Sequence, residues 1–129
     1  MTIEFNHTII AAHDRVTSAN FLAEILGLPS PTRFGPFMVV KTANNVSLDF
    51  MTTSKEFQPR HYAFLISETE FDEIFKRITD KNILYWADHK KEQAYQINHN
   101  DGGRGLYFCD PNNHLLEVLT RPYGSGPII

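Results

Sequence analysis

The sequence predicts an α+β protein built from two similar halves, each with a strand, a helix and further strands. Apolar residues recur with the two-residue period of a strand in some segments and with the helical period in others. The order of these segments in the first half of the 129-residue chain then repeats in the second half. We expect one domain over residues 1-129, with a first module at about 1-54 and a second at about 57-123.

The first half opens with a strand from Ile3 to Ala11, where alternate residues are apolar. Asp14 has a side chain that commonly caps the start of a helix, and Gly27 suits a left-handed cap at its end. Apolar residues recur at helical spacing between them, at Val16, Ala19, Leu22, Ala23 and Leu26. A helix between the two caps follows from this pattern.

The rest of the first half has the signals of a β-hairpin. Phe37 to Lys41 is a predicted strand, Ala43-Asn44-Asn45 a turn, and Val46 to Met51 the next strand. Asp49 places a carboxylate inside the apolar second strand. The polar segment Thr52 to Gln58 then serves as a connector between the halves.

The second half repeats this order. A strand from His61 to Ile66 is headed by a histidine, as the first strand carries His7. Ser67 and Glu70 have the spacing of a capping box. The apolar face of the following helix is formed by Phe71, Ile74, Phe75 and Ile78, and Asn82 is suited to end it.

The chain closes with short strands and a turn. They are Leu84 to Trp86, Leu106 to Cys109 and Leu115 to Thr120, with a polar loop from Asp88 to about Gln96 and a turn at Asp110-Pro111-Asn112-Asn113. Glu117 lies in the middle of the last apolar run. A carboxylate there is costly to bury unless a cation, a proton or water accompanies it.

The repeat makes His7 equivalent to His61 and Asp49 equivalent to Glu117. If the halves pack about a pseudo-twofold axis, these four side chains converge. Two imidazoles and one carboxylate on one face of a divalent ion is the arrangement of non-haem iron oxygenases. A closed structural zinc site usually uses cysteines, and the chain has one, Cys109. The alternative is two independent core histidines and two strand acids.

Composition narrows the class of partner. The formal charge is −3 and no basic cluster is present, which argues against a nucleic acid or an anionic membrane surface. No apolar run has membrane-spanning length, and the first residues lack the pattern of a signal peptide. We therefore expect a cytoplasmic protein whose partner is a small molecule.

These residues resemble the vicinal oxygen chelate superfamily, which includes glyoxalase I, extradiol dioxygenases and the fosfomycin- and bleomycin-resistance proteins. The resemblance implies paired βαβββ modules whose curled sheets form an incompletely closed barrel around a metal. It places His7, His61 and Glu117 at the three usual metal-ligand positions. Asp49 falls where glyoxalase I has a fourth ligand, a glutamate, and its shorter side chain leads us to expect substrate binding instead.

The closing stretch resembles the signature of extradiol ring-cleaving dioxygenases. The matching residues, in order, are His99, Leu106, Tyr107, Asp110-Pro111 and Glu117. Asn113 departs from the usual glycine or proline, but asparagine tolerates a left-handed turn. The chain is also similar to a single-domain, dioxygenase-like branch that ends Thr-Arg-Pro-Tyr-Gly-Ser-Gly, associated with oxygenases of aromatic polyketide biosynthesis.

The function implied by this resemblance is a dioxygenase that acts on a small aromatic or diol substrate with Fe(II) and dioxygen. Manganese, zinc and nickel are alternatives, since imidazole and carboxylate suit all of them. His99 and Tyr107 are the candidate catalytic residues, and Arg104 the candidate clamp for a substrate anion. The resemblance also implies a homodimer. Two other functions stay open: a glyoxalase-like isomerase or lyase, and a drug-binding resistance protein without chemistry.

Overall fold

The computed structural model describes residues 2–127, so Met1, Ile128 and Ile129 lie outside the described part of the chain. The chain divides into two compact units with a boundary between Gln58 and Pro59. Each unit contains a strand, a helix and three further strands. The predicted α+β fold class with two βαβββ modules is confirmed.

The first unit contains β1 (His7–Ala12), α1 (Arg15–Leu26), β2 (Thr32–Phe34), β3 (Phe37–Lys41) and β4 (Ser47–Thr52). Its sheet has the order β1-β4-β3-β2, with β1 parallel to β4 and the other pairs antiparallel. Asp14 caps α1 by accepting the backbone N–H of Val16, and Gly27 ends it at φ 70°. Both predicted caps are confirmed.

Two details of the first unit differ from the sequence-based prediction. β1 begins at His7 rather than Ile3. The strand β2 was not predicted, because its three residues are all exposed and show no apolar alternation. It forms by pairing with β3 across a turn at Gly35, whose φ of 56° favours glycine.

The sheet of the first unit has one buried and one accessible face. The buried face packs under α1, and its buried residues are Ile10, Ala12, Val40, Leu48 and Phe50, with Leu22 and Ile25 buried on the helix. Because side chains alternate along a strand, His7 and Ile9 in β1 and Asp49 in β4 project from the other face. Ile9 is 52% exposed there, and His7 is exposed as well.

The second unit contains β5 (His61–Leu65), α2 (Glu68–Asp80), β6 (Tyr85–Trp86), β7 (Gly105–Cys109) and β8 (Leu115–Leu119), with a 3₁₀ turn at Asn100–Gly102. Its sheet has the order β5-β8-β7-β6, with β5 parallel to β8. The capping box is confirmed: Glu70 N–H donates to Ser67 Oγ, and Ser67 N–H donates to Glu70 Oε1.

The core of the second unit is contributed by α2 and by the inner face of its sheet. The buried apolar residues include Phe71, Ile74, Ile78, Leu106, Phe108, Leu116 and Val118. Asn82 and Asn113 both adopt left-handed backbone, at φ 56° and 65°, which agrees with their predicted turn positions. Among the described residues, no helix has the length and apolar character needed to cross a membrane.

Candidate metal centre

Each unit places a histidine and an acid at matching positions of its sheet. His7 pairs with the β4 residue two positions before Asp49. His61 pairs with the β8 residue two positions before Glu117. The predicted equivalence of His7 with His61 and of Asp49 with Glu117 is confirmed at the level of strand register. Neither histidine is buried, which contradicts the alternative interpretation of both as core residues.

In the second unit the histidine and the acid are in contact. His61 Nε2 lies 3.1 Å from Glu117 Oε1, and His61 Nδ1 lies 2.9 Å from the carbonyl oxygen of Leu115. A carbonyl oxygen only accepts hydrogen bonds, so Nδ1 is the protonated nitrogen of that pair. The Leu115 carbonyl therefore orients the ring and directs Nε2 toward Glu117.

The contact between His61 Nε2 and Glu117 Oε1 brings together two hydrogen-bond acceptors. With its proton on Nδ1, neutral imidazole presents a lone pair at Nε2, and the carboxylate oxygen facing it is also an acceptor. Two acceptors at 3.1 Å are stabilised by a proton or a metal ion shared between them. Glu117 is 1% exposed, so water does little to stabilise the negative charge of its carboxylate. An imidazole nitrogen and a carboxylate oxygen are both good ligands for divalent transition metals, and this donor pair fits such an ion.

Two tyrosines complete the surroundings of Glu117. Tyr107 lies directly opposite Glu117 in the β7–β8 ladder, and its ring stacks on that of His61 at a centroid distance of 5.9 Å. Tyr123, beyond the end of β8, donates its hydroxyl proton to Glu117 Oε2 at 2.5 Å. The two tyrosine hydroxyl oxygens are 3.0 Å apart. Because Tyr123 donates to the carboxylate, Tyr107 is the donor between the tyrosines.

Both hydroxyls keep their protons at neutral pH. Burial raises the pKa of Tyr107, and the nearby negative charge of Glu117 adds to the rise. Although 61% of Tyr123 is exposed, its hydroxyl faces the buried carboxylate of Glu117. Burial of the hydroxyl raises the pKa of Tyr123 well above its usual range, and the hydrogen bond to Glu117 raises it further. Tyr123 was missed by the sequence-based prediction, because nothing in the local pattern ties the residue after a strand to an acid inside it.

In the first unit His7 and Asp49 line one cleft of about 480 Å³ on the accessible face of the sheet. Its lining also includes Phe34, Phe37 and Lys41. His7 Nδ1 is 2.7 Å from Asn6 Oδ1, so His7, like His61, holds an acceptor at Nδ1 and presents Nε2 outward. Asp49 is half-buried between β1 and β3.

The predicted metal ligands thus fall into two groups. His61 and Glu117 are brought together in the second unit, and His7 lies with Asp49 in the first. Over residues 2–127, no group of three or more His, Cys, Asp and Glu side chains is placed to hold a metal ion. The convergence of His7 with the other two ligands stays a prediction.

Besides His61, the histidine whose ring lies beside Tyr107 is His89 and not His99, the histidine of the dioxygenase signature. His99 is exposed at the start of the 3₁₀ turn, and its backbone carbonyl accepts from Gly102 N–H. The ring of His89, in the loop that begins at Asp88, lies 6.4 Å from that of Tyr107. The folding of the 88–93 loop, in which Asp88 accepts the backbone N–H groups of Glu92 and Gln93, holds His89 there. A catalytic role for His99 stays a prediction.

Arg104, expected to clamp a substrate anion, is engaged within the second unit. Its guanidinium donates to Glu68 Oε1 at 2.7 Å and to Asp72 Oδ1 at 2.8 Å, and it covers the ring of Phe71 at 4.4 Å. These contacts join the start of β7 to the first turns of α2. They give Arg104 a structural function, while its proposed contact with substrate stays a prediction.

The Asp-Pro turn of the signature is a buried polar cluster. Asp110 Oδ1 accepts the backbone N–H groups of Asn112 and His114, at 2.8 and 2.9 Å. His114 is 1% exposed, and its Nδ1 accepts from Arg60 N–H. His114 is therefore structural, and it fixes the backbone next to His61.

A βαβββ module repeated twice, with a histidine on each first strand and an acid on each last strand, defines the glyoxalase-like class of folds. No protein-family model matches the chain. Comparison with known proteins nevertheless extends over almost its full length. The solved structure of Oxidase ChaP-H1 shares 57% identity and a TM-score of 0.94, and covers 95% of this chain and 99% of its own.

A second solved structure, Oxidase ChaP-H2, shares 56% identity with a TM-score of 0.96, covering 98% of this chain and 100% of that one. The glutathione transferase FosA of Serratia marcescens is 27% identical over 124 residues, which cover 92% of this chain and 81% of the relative. The chain belongs to the vicinal oxygen chelate superfamily.

Proposed function

We propose that the protein is a metal-dependent dioxygenase that uses Fe(II) and acts on a small aromatic or vicinal-diol substrate. The observation that carries this proposal is the His61–Glu117 pair, which holds an imidazole nitrogen and a carboxylate oxygen, two good ligand atoms for a divalent metal, 3.1 Å apart. The similarity of 56–57% identity to two oxidases supports oxidative chemistry rather than binding alone. The sequestering-protein alternative does not call for a metal, and it would leave the His61–Glu117 pair as an ordinary ion pair.

We assign the metal to His7, His61 and Glu117. Such a ligand set leaves positions on one ion for a pair of substrate oxygens and for dioxygen, which is the chemistry that the metal supplies. Fe(II) fits this use, and manganese, zinc and nickel fit the same donor atoms. The protein's part is orientation: Leu115 holds His61 and Asn6 holds His7, so that both present Nε2.

The cleft of the first unit is the proposed substrate site. Phe34 and Phe37 provide aromatic surface for a planar substrate, and Asp49 and Lys41 provide an acceptor and a cation for its polar groups. In this assignment Asp49 binds substrate and leaves the metal to the histidines and Glu117. A replacement of Asp49 by alanine is expected to raise the KM for substrate and to keep the bound metal.

His99 and Tyr107 are the proposed catalytic residues, with His99 as acid or base and Tyr107 as a hydrogen-bond donor, a role in which the Tyr107 hydroxyl turns its proton from Tyr123 to the bound oxygen. The position of His89 beside Tyr107 makes it a direct competitor for the role of His99. His99→Ala is expected to slow turnover roughly a hundredfold to ten-thousandfold while metal content is unchanged. The same loss in His89→Ala, with His99→Ala active, would transfer the role to His89.

A second function, transfer of a thiol to an electrophilic substrate, is favoured by one observation, the 27% identity to glutathione transferase FosA. That chemistry, like the isomerisation of a glyoxalase, consumes no dioxygen. The deciding experiment uses an oxygen electrode with protein loaded with Fe(II) under anaerobic conditions and a panel of catechols, dihydroxynaphthalenes and hydroxyquinones.

A parallel assay without oxygen measures hemithioacetal isomerisation and glutathione consumption with an epoxide. Oxygen uptake that depends on both iron and substrate is the expected result. Isomerisation or glutathione transfer without any oxygen uptake would contradict the dioxygenase proposal. Tight binding of the panel with no reaction under any metal would favour a sequestering protein.

We also propose a homodimer, because superfamily members with one pair of modules commonly pair modules within or between chains. Light scattering at micromolar concentration is expected to give twice the chain mass of 14.8 kDa, and a monomer would refute the dimer. Mixing a His7→Ala chain with a Glu117→Ala chain tests the pairing. Restored metal binding would assign the two ligands of one site to different chains, and no restoration would assign them to one.

A further inference from the structure

The C-terminal segment, residues 120–126, is folded back onto the second unit by specific contacts. Thr120 N–H donates to the carbonyl of Arg104 at 2.9 Å, which continues the sheet past β8. At the other end, Gly126 N–H donates to Asp101 Oδ1 at 3.1 Å. A Cβ at Gly126 would lie 2.6 Å from Asp101 Cα, so a residue without a side chain is needed for this approach. Both ends of the segment are therefore anchored.

Between the anchors the chain makes a tight turn that carries Tyr123. Ser125 N–H donates to the carbonyl of Pro122 at 3.1 Å, and Gly124 at the third turn position has φ 78°. Arg121 closes the turn from outside by donating to the carbonyl of Ser125 at 2.9 Å. The motif Arg-Pro-Tyr-Gly-Ser-Gly thus has a structural explanation: it presents one tyrosine at a fixed place.

That place is the buried carboxylate of Glu117. Oε1 of Glu117 faces His61 Nε2 at 3.1 Å, and Oε2 accepts the Tyr123 hydroxyl at 2.5 Å. Tyr107 in turn lies 3.0 Å from Tyr123 through their hydroxyl oxygens. The two oxygens of the carboxylate have different partners, and the tyrosine pair decides which oxygen is left for a cation.

We propose that Tyr123 is a positioning residue for the metal: its hydroxyl holds Oε2 of Glu117, so that Oε1 alone binds the ion, and Tyr107 acts on the carboxylate mainly through Tyr123. This inference rests on the proposed metal site at Glu117. Without the hydroxyl of Tyr123, the carboxylate is free to rotate or to bind through both oxygens. Hydrogen bonds to metal ligands commonly change affinity roughly ten- to a hundredfold.

The test compares Tyr123→Phe, Tyr107→Phe and the double variant in titrations of the metal-free protein with Co²⁺. Calorimetry gives the Kd, and the visible absorption of Co²⁺ reports its coordination, because the bands weaken as the number of ligand atoms rises. Tyr95→Phe is the matched control, since Tyr95 is similarly exposed, at 65% against 61% for Tyr123. Circular dichroism checks that each variant is folded.

Tyr123→Phe is expected to raise the Kd for Co²⁺ about ten- to a hundredfold and to weaken the visible bands. Tyr107→Phe is expected to have a smaller effect of the same kind, and a still smaller one when Tyr123 is already Phe. Tyr95→Phe is expected to match the wild type. A folded Tyr123→Phe variant with wild-type Kd and spectrum would overturn the proposal, as would independent, additive effects of the two tyrosines.

The outcomes also separate this inference from the proposed reaction. Wild-type protein that binds Co²⁺ with the expected effects in the variants, but takes up no dioxygen with any substrate when loaded with iron, would refute the dioxygenase and support the positioning function. Wild-type protein that binds no Co²⁺ would overturn both the metal site and the function of Tyr123.

Discussion

Replacing Glu117 by glutamine separates the cost of burying a charge from its use in metal binding. The side chain is 1% exposed and is placed between His61 Nε2 and the Tyr123 hydroxyl. Glutamine has the same shape. Its carbonyl oxygen accepts from Tyr123, and its amide donates to the lone pair of His61 Nε2, so both contacts persist without a buried charge.

Relative to the wild type, Glu117→Gln is expected to stabilise the metal-free protein and to destabilise the metal-bound protein. Removing a buried charge while keeping its hydrogen bonds is expected to raise the free energy of unfolding of the metal-free protein by about 1–3 kcal/mol. An ion at a thousandfold excess over its Kd adds about 4 kcal/mol to the stability of the wild type. Loss of the carboxylate ligand is expected to reduce that increment in the variant to under about 1 kcal/mol.

Urea unfolding followed by tryptophan fluorescence measures both effects. The chain has one tryptophan, Trp86, and it lies in β6, where it pairs with Tyr107, so its emission reports the second unit. Glu56→Gln, in the exposed connector, is the control for an equivalent change of charge. A variant at Glu117 that is still stabilised by Co²⁺ like the wild type would refute the assignment of this carboxylate as a ligand. Strong destabilisation of the metal-free variant would refute the argument that glutamine satisfies both contacts.

Three further predictions concern Arg104, Glu70 and the two histidines proposed as metal ligands. Arg104→Ala is expected to lower the free energy of unfolding of the second unit by about 1–2 kcal/mol, because the variant loses two ion pairs and a cation–π contact. Unchanged stability with a raised KM would instead favour a substrate-binding role for Arg104. Hydrogen bonds from the N–H and hydroxyl of Ser67 hold the pKa of the Glu70 carboxyl below its usual value. The ionised carboxylate therefore stabilises the fold at pH values above the pKa it has in the unfolded chain. This stabilisation is lost as the pH falls through the pKa it has in the folded protein. The stability difference between wild type and Glu70→Gln, measured in urea, should therefore shrink between about pH 7 and about pH 3, and a constant difference would contradict the assignment. His7→Ala and His61→Ala are each expected to abolish bound iron by elemental analysis, and full occupancy in either variant would end the three-ligand assignment.

Features set by neighbouring residues were predictable from the sequence. The caps at Asp14 and Gly27, the capping box and the left-handed Asn113 depend on residues within a few positions of each other. The repeat was equally visible, because the same order of strand and helix signals occurs twice. These local signals are sufficient for the fold class, and with it for the matching registers of His7 and His61.

Features that depend on distant partners were missed. The strand β2 has no pattern of its own and forms only against β3. Arg104, which the sequence suggested as a clamp for a substrate anion, forms ion pairs with two acids more than 30 positions earlier. His89 meets Tyr107 because the loop before β7 folds back.

The sequence by itself determined the class of fold and the residue types of the proposed metal site, since strand period, helix caps and an acid in an apolar strand are properties of short segments. Only the tertiary structure decided which groups act on that acid. The proton on His61 is placed by a carbonyl of the neighbouring strand, and the two oxygens of Glu117 face different partners, His61 and Tyr123. Hydrogen bonds of this kind join atoms within about 3 Å whatever their separation along the chain, and no local pattern records them.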